Sequence, residues 1–464
     1  MSIWSRFTKP FRHTAEPVQR RSFEAASGRR FGGVASYGPH GPETTSAGPV
    51  VRGRARHAFA NNGYIRNAVS GTVAETVGAG IEANSAHPDP TIRRAIDTTF
   101  LEAATAIDAD GRTDLRGLTA AAVQAEFVDG EAFFALEYRE GRLALRQIPA
   151  EWIDESHTTE LTGGGYIVAG IEFNPLGERM AYHVRPSRPT DLYPTAGERI
   201  RIAAEDMLHV FRSLGPGQVR GVSQLAPVLL ALNEADQLQD ARLVGSKVAA
   251  MFAGFITDMN ATGGLQFDGD QTGNILESGL EPGTLKVLPA GVDIKFSAPD
   301  QARDSNAFAE EIRGLIAAGL GCPRHILDGD LTGANYSSLR AGLLPWRAKI
   351  EQYVYQTLIP QFLDPIFKRI VTDAYLSGRL DAPDLMDAIK AEWLPPRPMQ
   401  VDPQKDAKAL RELLSLGLTS RRQAVASLGW NIDDLDAEIA ADRERETVLG
   451  LSFSDPKKDQ SDAA

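Results

Sequence analysis

The chain has 464 residues, of which 42% are apolar, and it carries a formal net charge of −12. This length is too great for one ordinary core and predicts several domains. The acidic balance argues against a protein that grips DNA through a general basic surface. The single cysteine, Cys322, excludes an intrachain disulfide and favours an intracellular or in-virion setting over a secreted one.

The N-terminal segment, residues 1–54, is rich in glycine, proline, serine and arginine and has no apolar periodicity. We therefore expect a basic, mostly disordered arm. Its first 30 residues hold seven basic and two acidic side chains. A solvated arm is the favoured interpretation, and a contact with nucleic acid or a scaffold protein remains open.

Ordered structure is predicted to begin with two helices. Apolar residues recur at helical spacing from Ile65 to Val77, and a second helix is expected over 91–107. From about 120 to 212 the pattern changes to short strands and turns. It includes a hairpin that turns at Arg139–Gly141, another that turns at "NPLGE", and the strand "DMLHVF".

The second half is predicted to be mainly helical. We expect a helix of roughly 30 residues over Val222–Met251, a loop-rich segment, and a helix over Ser305–Leu320. A long helix over Leu339–Leu376 follows, which Pro345, Pro360 and Pro365 should kink or segment. Residues 403–448 should be helical, with Thr419 and Asn431 as N-caps, and the last dozen residues should be disordered.

The stretch "HVFRSLGPGQVRGVSQLAPVLLAL", His209–Leu232, has the strand, glycine-rich turn and helix of a nucleotide-binding loop. Gly215, Gly217 and Gly221 are spaced G-x-G-x-x-x-G, which is one residue longer than the dinucleotide fingerprint. A phosphate loop would require lysine where Val222 stands. We therefore expect a turn that leads into a helix, without a nucleotide.

Three other segments lack the residues that a calcium site, a zinc site or a hydrolase serine requires. "DGDQTGNILESG" has Gly279 where a calcium loop requires glutamate, Cys322 and His325 lack further zinc ligands, and Ser223 is not in G-x-S-x-G.

We expect no enzyme activity, no cofactor and no metal. A soluble multidomain oligomeric enzyme whose site is dispersed beyond motif detection remains the alternative, and a sequence-specific DNA binder is disfavoured. No apolar run approaches the roughly 18–20 residues of a membrane span, so no membrane partner is expected.

Five segments in order resemble bacteriophage portal proteins of the lambda family. They are "NNGYIRNAVSGTVAETVGAGI", "DGEAFFALEY", "GPGQVRGVSQLAPVL" with "ALNEADQLQDARLVGSKVAAMFAGFI", "DGDLTGANYSSLRAGLLPWR", and "WLPPRPMQVDPQKDAKAL" with "GLTSRRQAVASLGWNIDDLDAEIAADRERE". The resemblance covers about residues 55–450. It implies an α+β portal-type subunit with a β-rich wing, long stem helices, a clip made of loops and strands, and a helical crown.

The resemblance also implies domain boundaries. After the arm, 1–54, come the wing (55–221), the first stem helix (222–255), the clip (256–300), the second stem helix (301–322), the tunnel loop (323–338), a long kinked helix with a return strand of the wing (339–399), the crown (400–448) and a disordered tail (449–464).

By the same resemblance, about twelve subunits form a ring at one capsid vertex, and double-stranded DNA is packaged and ejected through it without sequence specificity. The implied partners are the large terminase, the major capsid protein and the head–tail connector proteins. The implied location is the virion, with the host cytoplasm during assembly.

Candidate site residues follow from this reading. The polar loop and nearby basic side chains are expected to line the DNA channel: Asp330, Thr332, Asn335, Tyr336, Arg340, Arg324, His325, Lys247, Arg303 and Arg313. The loop is expected at the narrowest point. Gln218 and Arg220, in the glycine-rich turn, are expected to contact a neighbouring subunit.

Overall fold

A computed structural model describes residues 37–187, 198–251, 255–257, 270–272, 275–277, 286–288, 301–332, 335–396, 403–430 and 432–451. The chain forms two compact units. The first unit comprises the chain up to Ala226 together with the chain from Asp330 onward, and the second comprises Pro227–Gly329.

The first helix of the first unit, α1, spans His40–Asn61, so the expectation of disorder is wrong for residues 40–54. Thr44, Ala47, Val51, Ala55 and Ala58 are buried. They recur every three or four residues and so form one face of the helix. Most of these buried side chains are small, and Pro49 lies inside the helix. The buried and exposed faces of α1 therefore differ little in hydropathy, so the sequence pattern did not predict the helix. Residues 1–36 of the predicted arm lie outside the described residues.

Three further helices precede the sheets, and each begins at a side-chain N-cap. They are α2 (Gly63–Val77) after Asn62, α3 (Pro90–Thr105) after Asp89, and α4 (Leu115–Asp129) after Asp114. The first two helices confirm the prediction. Helix α4 corrects it, because the strand-rich region begins at Glu131 and not near residue 120.

The strands form two antiparallel sheets. The first sheet has the order β3-β2-β9, with β2 Glu131–Arg139, β3 Arg142–Ile148 and β9 Met207–Phe211. Its hairpin turns at Glu140 and Gly141, where φ is +50° and +78°, as predicted. The second sheet has five strands in chain order: β4 Thr159–Glu160, β5 Tyr166–Val168, β6 Ile171–Phe173, β7 Arg179–Val184 and β8 Ile200–Ala203.

Strand β2 contributes to both cores of this unit because successive side chains point to opposite faces of a sheet. Phe134 belongs to a large core built with helices of the N- and C-terminal segments. Phe133 belongs to a smaller core with Ile171 and Tyr182 of the five-stranded sheet. The three-stranded sheet is therefore covered on both faces.

The remainder of the first unit is mostly helical. Helix α8 (Tyr336–Tyr353) continues through a π-helical segment, Val354–Leu363, into α9 (Asp364–Leu376), which confirms the long helix. Pro345 and Pro360 lie inside α8 and the π-helical segment, and Pro365 lies in the first turn of α9, so the changes of helix type do not begin at Pro345 or Pro360. Helix α10 (Leu385–Ala388) leads to β14 (Ala391–Leu394), which pairs with β1 (Glu82–Ser85).

Three helices follow: α11 (Pro403–Ser415), α12 (Arg421–Ala426) and α13 (Ile432–Leu449). Ser420, not Thr419, caps α12, and Asn431 lies outside the described residues.

The second unit contains α5 (Leu229–Met251), α6 (Gln301–Leu320) and α7 (Arg324–Asp328). Helix α5 begins seven residues later than predicted because residues 224–228 form turns. Four short strands lie between α5 and α6. They are β10 (Phe255–Thr257), which pairs in parallel with β13 (Lys286–Leu288), and β11 (Asp270–Thr272), which pairs antiparallel with β12 (Ile275–Glu277). No helix of the described chain has both the length and the apolar character needed to cross a membrane.

Candidate channel and subunit-contact residues

The polar loop that was predicted to line the channel is stabilised by local hydrogen bonds. The Asp330 carboxylate accepts a hydrogen bond of 2.8 Å from the Thr332 backbone N–H. Asn335 caps α8: its side chain accepts from the Ser338 N–H, and the Ser338 hydroxyl accepts from the Asn335 N–H, both at 2.9 Å. Asp330, Thr332 and Asn335 are exposed, whereas the side chain of Tyr336 lies outside the described residues.

Two of the predicted basic residues, Arg313 and Arg324, lie together in the second unit and share two carboxylates. Arg324 Nε is 2.9 Å from Asp328 Oδ2, and Arg313 Nε is 3.8 Å from the same oxygen. Both guanidinium groups also pair with Glu310. The hydrogen bond from Arg324 lowers the pKa of Glu310. This cluster contains two positive and two negative charges, so it provides no net positive charge for a DNA phosphate.

Of the other predicted basic residues, His325, Lys247 and Arg340 have side chains that the structure describes. Burial lowers the pKa of His325, although Asp328 opposes the shift. Lys247 is exposed on α5, and the side chain of Arg303 lies outside the described residues. Arg340, in the first unit, pairs with Asp406 of α11 at 3.3 Å.

The two residues predicted to contact a neighbouring subunit are buried within this one. Arg220 is 2% exposed, and its guanidinium pairs with Glu131 and donates to the backbone oxygens of Ala150 and Ala169. Gln218 accepts from the Leu214 N–H and donates to the Arg220 carbonyl oxygen. This corrects the expectation of an intersubunit role, because both side chains are committed to partners inside the subunit.

Arg220 belongs to a buried ion cluster that the sequence did not reveal. Glu131 accepts hydrogen bonds from Arg52, Arg220 and the Gly221 N–H, and Glu155 accepts from both arginines. His209 Nε2 lies 3.0 Å from Glu131 Oε2. The sequence signals were Glu131 at the start of an apolar strand and Arg220 between small and apolar residues.

The electrostatics of this cluster follow from its burial. Burial alone would raise the pKa of Glu131, but Arg220, His209 and Arg52 outweigh it and hold the pKa well below its ordinary value. Burial lowers the pKa of His209 to about 4, so its ring is neutral near pH 7. The neighbouring atoms assign the proton to Nε2, which donates to Glu131, while Nδ1 accepts from Arg179.

The described residues contain no group of three or more histidine, cysteine, aspartate or glutamate side chains placed to hold a metal ion. The glycine-rich turn, whose spacing argued against a nucleotide, places Arg220 in the ion cluster instead. The arrangement observed around this turn is therefore one that holds the subunit together.

Comparisons of the sequence with known proteins agree on one family. The family model "Phage portal protein, lambda family" matches residues 28–353. The "Probable portal protein" of Halomonas phage phiHAP-1 is 26% identical over 466 residues, which cover 94% of this chain and 89% of that protein. "Portal protein B" of Escherichia phage lambda is 24% identical over 313 residues, which cover 60% of this chain and 58% of that protein.

Two solved structures are also similar. One is "Virion of native gene transfer agent (GTA) particle", with 15% identity, a TM-score of 0.43, and coverage of 90% of this chain and 96% of that one. The other is "Neck of native GTA particle computed with C12 symmetry", with 16% identity, a TM-score of 0.39, and coverage of 84% and 94%. Because the family model spans most of the sequence, the chain belongs to the lambda family of phage portal proteins.

Proposed function

We propose that this portal protein assembles into a closed ring at one vertex of a phage capsid and that double-stranded DNA enters and leaves through its centre. The match of the family model to residues 28–353 carries the proposal. That range extends from the N-terminal arm, across both sheets and the second unit, to Tyr353, the last residue of α8. It therefore includes the proposed stem, clip and channel loop.

The charge distribution supports a conduit and not a tight DNA binder. The net charge is −12, and Arg313 and Arg324 are compensated by Glu310 and Asp328. Each phosphate that a protein neutralises adds salt-dependent affinity, and such contacts would resist sliding of the duplex. Weak contacts suit a channel through which a whole genome passes.

We place the narrowest part of the channel at the loop around Asp330–Asn335. Its exposed polar side chains and its local hydrogen bonds support this assignment. A loop stabilised in this way can present Asp330 and Thr332 to the duplex without a strong positive charge. Lys247, on the first proposed stem helix, is an exposed candidate for a light phosphate contact.

We place docking of the large terminase, and later of the head–tail connector proteins, on the clip (residues 256–300). The major capsid protein is proposed to surround the ring at the vertex, and assembly is proposed to take place in the host cytoplasm. The assignment of the clip is supported by the organisation of the second unit, where two helices, α5 and α6, flank a segment of short strands.

The size of the purified protein tests the proposal. Twelve copies of the 50.2 kDa chain would give a particle of about 600 kDa with cyclic symmetry. Mass photometry and negative-stain imaging should show rings of about this mass with a central opening. Concentrated protein that yields monomers and dimers alone would contradict the proposal and would favour the soluble multidomain enzyme.

A further inference from the structure

The five-stranded sheet packs one face on the smaller core and carries charged side chains on the opposite face, termed here its outer face. On β7, Tyr182 and Val184 are buried in that core, so His183 and the following Arg185 point to the outer face. Strand β8 pairs Arg201 with His183, which places Arg201 on the outer face as well. Basic side chains therefore lie side by side on two neighbouring strands.

Asp154, in the turn beside β7, binds two arginines of this face through one oxygen. Its Oδ2 accepts a hydrogen bond of 2.6 Å from Arg185 Nη2 and another of 2.6 Å from Arg199 Nε. Arg199 immediately precedes β8, and the Asp154 side chain is 5% exposed. Two guanidinium groups thus share one buried carboxylate, which can neutralise only one of them.

The third arginine of the outer face binds the second carboxylate, Glu172 of β6. Glu172 accepts from Arg201 Nε at 2.8 Å and from Arg201 Nη2 at 2.9 Å, and His183 Nε2 lies 3.0 Å from Glu172 Oε2. Three arginines therefore contact two carboxylates on this face. With neutral histidines, this group of side chains carries one positive charge in excess.

Several donors of the outer face have no acceptor among the residues that the structure describes. The Nε–H of Arg185 is buried without a hydrogen-bond partner there. Arg199 uses only its Nε, so its two terminal nitrogens have no acceptor in the described chain, and its side chain is 41% exposed. An unpaired buried donor is unfavourable, so an acceptor from outside the chain would stabilise this arrangement.

His157, in the same turn as Asp154, lies among these groups. Its ring centroid is 5.0 Å from that of His183. Burial is the largest cause that lowers the pKa of His157, and electrostatic repulsion by Arg199, His183 and Arg185 lowers it further. The ring nitrogens of His157 have no hydrogen-bond partner among the described residues. The neutral ring therefore adds an N–H donor to a region of positive potential.

We propose that the outer face of the five-stranded sheet binds a phosphate group, with Arg185, Arg199 and His157 as its donors. The planar fork of a guanidinium group matches the oxygens of phosphate. A phosphate group presents three strong acceptor oxygens, which suits donors from the end of β7, the start of β8 and the turn before β4. A carboxylate presents two oxygens in one plane, which fits donors from three segments less well.

The phosphate group can come from free inorganic phosphate or from the backbone of a nucleic acid. The site uses no residue that we assign to the channel, and it lies wholly within the first unit. The inference therefore goes beyond the proposed function. Its tests measure binding to the full chain and do not require a ring, so failure of the site and failure of the proposed function are distinguishable.

The first test is phosphorus NMR of inorganic phosphate titrated with the full chain in chloride buffer at constant ionic strength. Bound phosphate tumbles with the protein, so its line should broaden. Arg199→Gln removes one cation but leaves Arg185 on Asp154. Its affinity for phosphate should be about tenfold lower, as expected for the loss of a hydrogen bond between charged groups.

Arg146→Gln is the matched control for Arg199→Gln. Arg146, on β3 of the other sheet, is 33% exposed and pairs with Glu137 and Asp110. It should bind phosphate as the original chain does. Equal broadening by the original chain and both variants would indicate dispersed adsorption and would overturn the site, as would the absence of broadening by the original chain.

His157→Phe is a second variant that retains a ring but removes its donor. The affinity for phosphate should fall about threefold, which corresponds to one neutral hydrogen bond. Circular dichroism and thermal melting verify the fold of every variant. If Arg199→Gln does not fold, His157→Phe decides the question, and an unchanged affinity there would overturn the site.

A short DNA duplex distinguishes the two sources of phosphate. If the site takes the nucleic-acid backbone, the duplex should displace inorganic phosphate from the original chain and narrow its line. Fluorescence anisotropy should then show weaker duplex binding by Arg199→Gln than by Arg146→Gln. If the site takes free phosphate, the duplex should leave the broadened line unchanged. Either result supports the phosphate site, provided that Arg199→Gln has lost affinity and Arg146→Gln has not.

Discussion

The guanidinium of Arg220 contacts both carboxylate oxygens of Glu131. Nη2 lies 2.6 Å from Oε1, and Nε lies 3.0 Å from each oxygen. The Glu131 side chain is fully buried, and that of Arg220 is 3% exposed. The pair joins the first residue of β2 to the glycine-rich turn, two segments that are 89 residues apart. It therefore anchors the turn to the three-stranded sheet.

Replacement of Arg220 by methionine should be strongly destabilising. The variant leaves the Glu131 carboxylate buried with Arg52 as its remaining arginine partner. Loss of one member of a buried pair costs about 3–5 kcal/mol of unfolding free energy. Urea denaturation monitored by tryptophan fluorescence measures the change.

Arg201→Met is the control for this variant. Arg201 pairs with Glu172 through a half-exposed side chain, and such pairs contribute about 1 kcal/mol or less. Equal losses in the two variants would show that burial of the Arg220–Glu131 pair has no special weight.

The stability of the subunit should fall as the pH falls from about 6.5 toward 4. His209 has a folded pKa of about 4, below the 6.5 of an ordinary histidine. In this window the unfolded chain binds a proton that the folded chain excludes, so acid favours unfolding. Glu131, with its lowered pKa, adds a further loss below its ordinary value of 4.5.

His209→Gln tests this assignment, because glutamine can still donate to Glu131 but does not titrate. The unfolding free energy of the variant should depend less steeply on pH between 6.5 and 4, by up to about 1.4 kcal/mol per pH unit. His57→Gln, at an exposed site of α1, is the control for the general effect of a histidine-to-glutamine change. An unchanged slope in His209→Gln would refute the buried neutral histidine.

Gly217 and Gly221 are required in the turn for different structural reasons, and alanine substitution at each position distinguishes them. A Cβ at Gly221 would lie 2.1 Å from the Gly130 carbonyl oxygen. This oxygen belongs to the backbone, so it cannot move away by a change of side-chain rotamer. Gly217 has open space around it but a φ of +81°. We expect Gly217→Ala to cost about 1 kcal/mol and Gly221→Ala to cost about 3 kcal/mol or more, because it also displaces Arg220 from Glu131. Thermal denaturation of both variants gives the order, and the reverse order would contradict the close approach.

The sequence predicted the elements with strong local patterns. The hairpin at Glu140–Gly141 has two residues with positive φ between β-rich runs, and α2 has apolar residues at helical spacing. Both depend on neighbouring residues alone. The spacing of Gly215, Gly217 and Gly221 correctly indicated a turn, but it could not show that Arg220 points inward.

The features that the sequence did not predict depend on which charged side chains pair with one another. Helix α1 is held by small buried residues and by Arg52, whose partners Glu131 and Glu155 are 79 and 103 residues away. Arg313 and Arg324 looked like free positive charges because Glu310 and Asp328 were not known to lie beside them. For Arg52 a contact between distant segments determines the role of the side chain, whereas Arg313 and Arg324 each also have a partner three or four residues away in the chain.

Deletion of Asp330–Ala334 tests the proposed channel loop. Deletion of Asp330–Ala334 leaves Asn335, whose side chain caps α8, and leaves its partner Ser338. We therefore expect the variant to fold and to form rings of about the original mass, but to package or retain less DNA, because the narrowest part of the channel would be wider. Nuclease protection of DNA in assembled particles, compared with the original protein, measures the effect.

Asn335→Ala is the contrasting variant for the deletion. It removes the cap of α8 and should cost about 1 kcal/mol of stability while it preserves the length of the loop. DNA retention should then fall in the deletion and remain close to the original in Asn335→Ala. Full retention by particles that carry the deletion would remove the loop from the channel wall. In that case the light contacts with the duplex would have to come from other exposed side chains, of which Lys247 on α5 is the first to test.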